Sequence, residues 1–373
     1  MKHDFETTGA EDVSIPADYR LSSYSYELPE DRIAQCPADR RDASRLLLLD
    51  RASGRTELRR FSDLPGLLPP GTLLVANNTR VVPARLFGHK PSGGRVEFLL
   101  LTPPPLLAAE PVDDGQWTAV AQGLLRASKA LKVGEEVGFG PDLRLVVEER
   151  GEYGQATVRL YWRGALHGIL ERQGRLPLPP YIRRPDGPAD AERYQTVYSS
   201  PAKAGSAAAP TAGLHFTPQL RARLADLGFE WAEVTLYVGY GTFSPVRCAD
   251  VRQHRMHSEY VEIGEEAAAA VARAKAEGRP VAAVGTTSAR ALEGAFAASG
   301  RIAPHAGWTD IYLLPGSRFN VADILLTNFH LPESSLLIMV SALAGREAVL
   351  DAYRRALDNG FRFFSYGDAM LIR

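Results

Sequence analysis

The chain has 373 residues and a formal net charge of −1, with 45% apolar and 23% charged side chains, a balance that suits a globular protein long enough for two domains. Its two cysteines, Cys36 and Cys248, exclude a disulfide framework and a cysteine-rich metal site, and the near-zero charge means that any RNA binding must come from local basic patches. No run approaches the roughly 18 apolar residues of a membrane span, and the polar start has no signal-peptide core, so a cytoplasmic protein with no membrane partner is expected.

In chain order, residues 1–18 read as a disordered extension, and 45–50 (Arg-Leu-Leu-Leu-Leu-Asp) as a buried strand. From 72 to about 162 the signals are almost all β. Short runs at 72–76, 81–87, 95–101, 117–121, 143–148 and 156–161, separated by Gly, Pro and Asp turns, predict a small antiparallel barrel or sandwich. After Pro177-Leu178-Pro179-Pro180 the character changes. The small-residue patch 202–209 suits a mobile loop near a site. Thr217 and Pro218 start a helix that Gly228 ends, and a strand follows at 229–238. An alanine-rich helix over 265–277, a short buried strand at 281–284 and a helix to 298 come next. The run 311–314, a strand opening at Ile324, helices at 335–344 and 346–359 and a last strand over 361–372 complete the pattern. The predicted fold class is α/β: a mixed-sheet α/β domain (19–71 and 166–373) carrying an inserted antiparallel β-barrel domain (72–165).

Several stretches could carry chemistry. In 323–345 an apolar run stops at Thr327-Asn328-Phe329-His330, then Pro332 and Glu333, before a second apolar run of helical spacing. Polar groups at the end of a buried strand stand where α/β sheets hold ligands; the alternative is that Asn328 and His330 only satisfy loop backbone. Gly285-Thr286-Thr287-Ser288 joins a buried strand to a helix and can take a carboxylate or phosphate, or be a plain cap; it lacks the glycine and lysine of a P-loop. Gly239-Tyr240-Gly241 is only a fragment of a dinucleotide fingerprint, which argues against NAD.

His215 sits in the loop Pro210-Thr211-Ala212-Gly213-Leu214-His215 before a capped helix, a place for an acid or base near neutral pH or for a solvated imidazole. His254, His257 and Glu259 lack metalloprotease spacing, so no metal is expected there; read as catalysis, His257 and Glu259 offer an orienter and a base. Local basic clusters (Arg32, Arg40, Arg41, Arg45; Arg80, Arg85, Lys90, Arg95; Arg126, Lys129, Lys132), with Tyr181, Tyr194 and Tyr198 as stacking faces, suit a phosphate track or ordinary solvated charge.

These runs resemble the S-adenosylmethionine:tRNA ribosyltransferase-isomerases, the QueA family of queuosine biosynthesis. The resemblance spans about residues 24–372. It rests on Asn77-Asn78-Thr79-Arg80-Val81, Pro83-Ala84-Arg85-Leu86-Phe87-Gly88, Tyr194-Gln195-Thr196-Val197-Tyr198, the stretches 209–216, 256–260 and 285–288, Gly241-Thr242-Phe243, 327–333 and 363–370. It implies an α/β domain with a β-barrel insertion. It also implies transfer and isomerisation of the ribosyl part of S-adenosylmethionine onto a 7-aminomethyl-7-deazaguanine at the tRNA wobble position, giving epoxyqueuosine in tRNA, adenine and methionine. S-adenosylmethionine is then a cosubstrate, no cofactor or metal is needed, and the expected partner is a tRNA anticodon loop bound by a monomer.

On that resemblance His215, His330 and Glu259 are the acid/base candidates and His257 an orienter. Residues 285–288 (Gly285, Thr286, Thr287, Ser288), Thr211, Gly213, Asn328, Glu333 and Asp368 are expected to bind substrate, and Arg80, Arg85 and Tyr181 to bind tRNA. The chain departs from the family at Tyr237 (usually His), Ser317 (usually aromatic) and Asn320 (usually Lys). Those changes permit one alternative, a ribosyltransferase acting on another amine acceptor; a second alternative, a catalytically silent RNA-binding protein, is opposed by the presence of His215, His330 and the glutamates.

Overall fold

Alternate residues of the buried strands face opposite sides of one large sheet, and each side has its own cover. The computed structural model describes residues 14–113, 115–239 and 245–373. Nine strands form a mixed sheet in the order His305–Thr309, Glu259–Ile263, Glu230–Leu236, Leu73–Asn77, Val281–Val284, Ile324–Asn328, Ala369–Ile372, Arg45–Leu49 and Thr56–Arg60. The four strands from Glu230–Leu236 through Ile324–Asn328 run parallel. Odd positions (Leu47, Val75, Ala283, Leu325) pack under the helices Glu265–Ala276, Thr286–Ser299, Ser335–Ala344 and Arg346–Asp358. Even positions (Leu48, Leu74, Val284, Leu326) pack against Phe61, Leu64, Phe216 and the helix Pro218–Asp226. A sheet covered on both faces explains why these strands read as continuous apolar runs.

Thr217 and Ser334 cap their helices by side chain, whereas the helix after Gly285 begins with no side-chain cap bond among the described residues. Thr217 Oγ1 accepts from Leu220 N at 3.0 Å, and Ser334 Oγ from Leu337 N at 3.2 Å. Gly285, at φ +94, makes the turn from strand into helix that a side chain would strain.

The insert is a closed antiparallel barrel of Arg85–His89, Arg95–Leu100, Gln116–Ala127, Gln155–Arg163, Leu143–Arg150 and Glu136–Gly138, the last strand returning to the first. Along Gln155–Arg163 the burial alternates, and Ala156, Val158, Leu160 and Trp162 point into one core with Phe98 and Val137. The mixed sheet and the inserted barrel are as read from sequence.

Several boundaries differ. Leu73–Asn77, placed in the insert at 72, is a central strand of the large sheet, and its five wholly buried residues lack the barrel's alternation. Helix Leu166–Gln173 belongs with the barrel, because Ile169 and Leu170 fill the barrel core. Of the expected disordered extension, residues 1–13 lie outside the described residues. Within 14–18, by contrast, two contacts tie the segment down, although its other side chains are exposed: Ile15 is buried and Asp18 pairs with Arg346 at 3.1 Å. The expected mobile loop at 202–209 is also packed. Ala204–Ser206 pairs with Arg80–Val81, and a Cβ on Gly205 would stand 2.7 Å from the Tyr237 ring, so its small residues serve close approach rather than mobility. The sheet is edged by His305–Thr309 and not by 311–314, and the last strand is only Ala369–Ile372.

Candidate active site

Three of the parallel strands end at one cavity of about 660 Å³, on the side where open α/β sheets bind ligands. Val238 follows Glu230–Leu236, Gly285 to Thr287 follow Val281–Val284, and Thr327 to His330 end Ile324–Asn328. Tyr181, Thr211, Phe364 and Ser365 complete the polar and aromatic lining. Residues expected to act together from four separate stretches of sequence therefore share one space: Gly285, Thr286, Thr287, Thr211, Asn328, His330 and Tyr181. Two polar atoms of residues that line it, Thr287 Oγ1 and Asn328 Oδ1, are buried without a hydrogen-bond partner among the described residues. Such atoms are costly unless a ligand or water meets them.

The orientation of Asn328 is fixed. Its Nδ2 stands 3.1 Å from the Phe364 carbonyl and 3.4 Å from the Asp368 carbonyl, groups that can only accept. The third neighbour of Nδ2, His215 Nε2 at 3.1 Å, must then also accept. His215 carries its hydrogen on Nδ1 and donates it to Ser44 Oγ at 2.7 Å, while Ser44 donates to the Arg41 carbonyl at 3.2 Å. His215 also stacks on Phe61, with ring centroids 4.9 Å apart. Burial, with Arg362 and Arg41 nearby, holds its pKa down at about 3, so the imidazole is neutral. His215 thus stands behind Asn328 with both nitrogens engaged, outside the cavity. This corrects its expected place as an acid or base.

His330 does line the cavity. Its amide donates to Tyr353 Oη at 3.0 Å and its carbonyl accepts from Tyr26 Oη. Nε2 lies 2.8 Å from Thr327 Oγ1, which also lies 3.3 Å from the Asn328 carbonyl. Nδ1 has no partner among the described residues, and burial lowers the pKa to about 3, so the imidazole is neutral. Tyr181 stacks on Phe364 (4.5 Å, 26° between planes), and its hydroxyl meets Ser365 Oγ at 2.6 Å. Phe364 has φ +68, a conformation that side chains rarely adopt. It serves the site twice, with its ring as a wall and its carbonyl as an anchor for Asn328.

Other expected site residues fall elsewhere. Ser288 Oγ bonds back to the Val284 carbonyl inside the helix. Gly213 is buried because a Cβ there would stand 2.0 Å from Tyr198 Oη. Asp368 accepts from the amides of Arg45 and Arg362, both at 2.8 Å, and so ties the 362–368 loop to the sheet instead of facing a ligand. Glu333, at φ +58, donates its amide to the Tyr24 carbonyl and does not line the cavity.

Glu259 and His257 line a different cavity of about 730 Å³, where barrel and sheet meet beside Trp308. Glu259 is buried against Arg290 and accepts from Gly239 N at 3.0 Å, a structural ion pair rather than a catalytic base in the first cavity. Of Gly239-Tyr240-Gly241 only Gly239 is described, and Gly241-Thr242-Phe243 lies outside the described residues. Arg80 donates to Ser199 Oγ at 3.4 Å; Arg85 pairs with Glu97 at 3.3 Å and holds the Leu178 carbonyl, so both are anchored internally. Tyr237, Ser317 and Asn320 do not line the first cavity, although Val238 beside Tyr237 does. Among the described residues no group of three His, Cys, Asp or Glu could hold a metal ion. Sequence reasoning missed Ser44 and the carbonyl role of Phe364.

Residues 21–372 match the family described as Queuosine biosynthesis protein. A protein of Nitratidesulfovibrio vulgaris (strain DP4) named S-adenosylmethionine:tRNA ribosyltransferase-isomerase is 61% identical over 369 residues, covering 97% of this chain and 100% of that one. A protein of the same name from Heliobacterium modesticaldum is 51% identical, covering 94% and 99%. The crystal structure of S-adenosylmethionine tRNA ribosyltransferase from Thermotoga maritima is 32% identical, with a TM-score of 0.52 over 94% of this chain and 99% of that chain.

Proposed function

The chain belongs to the queuosine biosynthesis protein family, and from that membership we propose that it is a transferase that moves the ribosyl part of S-adenosylmethionine onto tRNA and isomerises it. The acceptor is the amine of a 7-aminomethyl-7-deazaguanine at the wobble position of the anticodon loop, and the products are epoxyqueuosine in tRNA, adenine and methionine. The reaction uses S-adenosylmethionine as cosubstrate and no further cofactor. The observation that carries this reading is the single cavity lined by Thr287, Asn328 and His330, with two buried polar atoms that lack partners among the described residues.

Each part of the cosubstrate has a matching feature. The methionine carboxylate suits the helix start at Gly285 to Thr287, where backbone N–H groups and the dipole favour an anion. Asn328 Oδ1 accepts from an N–H or O–H of the cosubstrate. Tyr181 and Phe364 offer aromatic faces to adenine. The sulfonium acidifies the ribose C5′, and the neutral His330 imidazole, acting in the tautomer with its hydrogen on Nε2, takes that proton at Nδ1. Adenine leaves with the electrons of its glycosidic bond, more easily once a ring nitrogen is protonated. Methionine leaves with the electrons of its bond to C5′. The attacking amine must be neutral. A wobble base is single-stranded and can be turned out into a pocket without melting a duplex.

Tyr237 packs over Gly205 beside the barrel, and burial with Glu262 pushes its hydroxyl up to about 12. None of the three departures from the family pattern lines the cavity. No described helix is long and apolar enough to cross a membrane. A tRNA substrate places the reaction in the cytoplasm, and a monomer, to be checked by light scattering, is the proposed state.

The deciding experiment incubates the protein with S-adenosylmethionine and an anticodon stem-loop carrying the deazaguanine. Adenine release with a matching gain in RNA mass supports the reading. Adenine release without that gain, or RNA binding with no release, overturns it.

A further inference from the structure

A second, small crevice lies behind the active-site cavity and shares Ser365 with it. Arg41 and Arg193 both line it, next to Ser44 and His215. Three other members of the nearby basic cluster are neutralised: Arg32 by Asp31, Arg40 by Asp42 and Arg45 by Asp368. Arg41 and Arg193 are not. Arg41 donates to the carbonyls of Glu192, Arg193 and Leu214, and Arg193 to those of Ala38 and Asp39. Among the described residues neither guanidinium makes an ion pair with a carboxylate.

Arg193 Nε is also buried without a partner among the described residues. The adjacent imidazole of His215 is neutral, so it adds no charge of its own. Burial and the charge of Arg193 both push the Arg41 pKa down, with the Glu192 carboxylate a smaller opposing influence. Two half-buried like charges without a counterion favour an anion between them. Guanidinium forks match phosphate oxygens in geometry.

We propose that Arg41 and Arg193 form a phosphate subsite that grips one backbone phosphodiester of the RNA substrate while a neighbouring base enters the cavity. This rests on the RNA-modifying reading above and adds to it the residues that hold the strand. Lysine at either position keeps the charge, whereas Gln removes it.

The test measures KM for the anticodon stem-loop against salt concentration for wild type, Arg193→Gln and Arg193→Lys, with S-adenosylmethionine affinity measured alongside. For Arg193→Gln, KM rises about tenfold near physiological salt, and the log–log salt slope falls by about one. The lysine variant keeps the wild-type slope, and affinity for S-adenosylmethionine is unchanged in both. Inorganic phosphate competing equally well in wild type and Arg193→Gln would count against the subsite.

Wild-type protein supplies a check that needs no variant: stem-loops with one uncharged methylphosphonate at each loop position in turn. One position must reproduce the loss, and Arg193→Gln must be insensitive to it. An unaltered KM and slope in Arg193→Gln, or equal sensitivity at every phosphate, overturns the subsite. A stem-loop that wild type neither binds nor modifies overturns the functional reading instead.

Discussion

Asn328 and His215 share a 3.1 Å hydrogen bond in which the amide donates and the imidazole accepts, so the histidine sets which face of the asparagine meets the cavity. Ser44 completes the relay by taking the Nδ1 hydrogen. In Ser44→Ala that hydrogen loses its acceptor, and the ring can shift to the tautomer that repels the Asn328 amide. KM for S-adenosylmethionine then rises about 3- to 15-fold, the loss of roughly one neutral hydrogen bond, while kcat changes less. Steady-state kinetics over pH distinguishes the roles. A positioning histidine leaves the pH profile of kcat unmoved, whereas a shifted limb would make His215 a proton-transfer group after all.

His330 behaves differently. Its free Nδ1 is the base of the proposed reaction, so His330→Gln loses about 10²- to 10⁴-fold in kcat while cosubstrate affinity stays within a few-fold. Adenine release in single turnover, with calorimetry for binding, separates the two quantities. Turnover near the wild-type rate would remove His330 from that role.

Thr287→Val removes a buried hydroxyl, partnerless among the described residues, at nearly constant volume from the helix start. In the absence of ligand the variant unfolds no more readily than wild type, because no protein contact is lost. Binding of S-adenosylmethionine weakens by about 3- to 15-fold. Equal affinity in a titration would show that the hydroxyl meets no ligand group.

What the sequence made legible follows from which signals are local. Capped helices at Thr217 and Ser334, the strand Val281–Val284 and the cavity motifs at Gly285 and Asn328 announce themselves by adjacent residues. The barrel's three-residue strand Glu136–Gly138 and the assignment of Leu73–Asn77 to the large sheet depend on pairing partners dozens of residues away. Likewise, a histidine before a helix looks the same whether it faces a ligand or backs an asparagine. Only the carbonyls of Phe364 and Asp368, fixed by tertiary folding, decide between the two for His215.

Acid should destabilise the fold before carboxylates titrate. His215 and His330 have pKa values lowered by burial from 6.5 to about 3, so the unfolded chain binds more protons than the folded one in that window. Stability therefore falls as pH drops from about 6.5 toward 3, each histidine contributing up to about 1.4 kcal/mol per pH unit. Asp190 is lowered to about 2, despite its burial, by Arg184, the Gly187 amide and Tyr366, and so acts only below 3.8. Urea midpoints at pH 7, 6 and 5 check the histidine contribution, and a flat series contradicts it.

The Glu259–Arg290 pair gives the clearest separation of stability from catalysis. Both side chains are almost wholly buried, 2% and 5% exposed, and Glu259 also holds the Gly239 amide. Removing one partner leaves the other charge buried and uncompensated, so Glu259→Ala costs about 3–5 kcal/mol of unfolding free energy. Glu259→Gln keeps the shape but not the charge, and should lie between the two. Arg290 sits on the helix Thr286–Ser299, whose first turn lines the cavity, so some loss of cosubstrate affinity accompanies the instability. The rate per folded, saturated molecule should stay within a few-fold of wild type, because neither group reaches the cavity. Denaturant titration combined with turnover at saturating S-adenosylmethionine resolves this. A stable Glu259→Gln protein with a collapsed kcat would return Glu259 to the acid/base role that its position in the structure denies it.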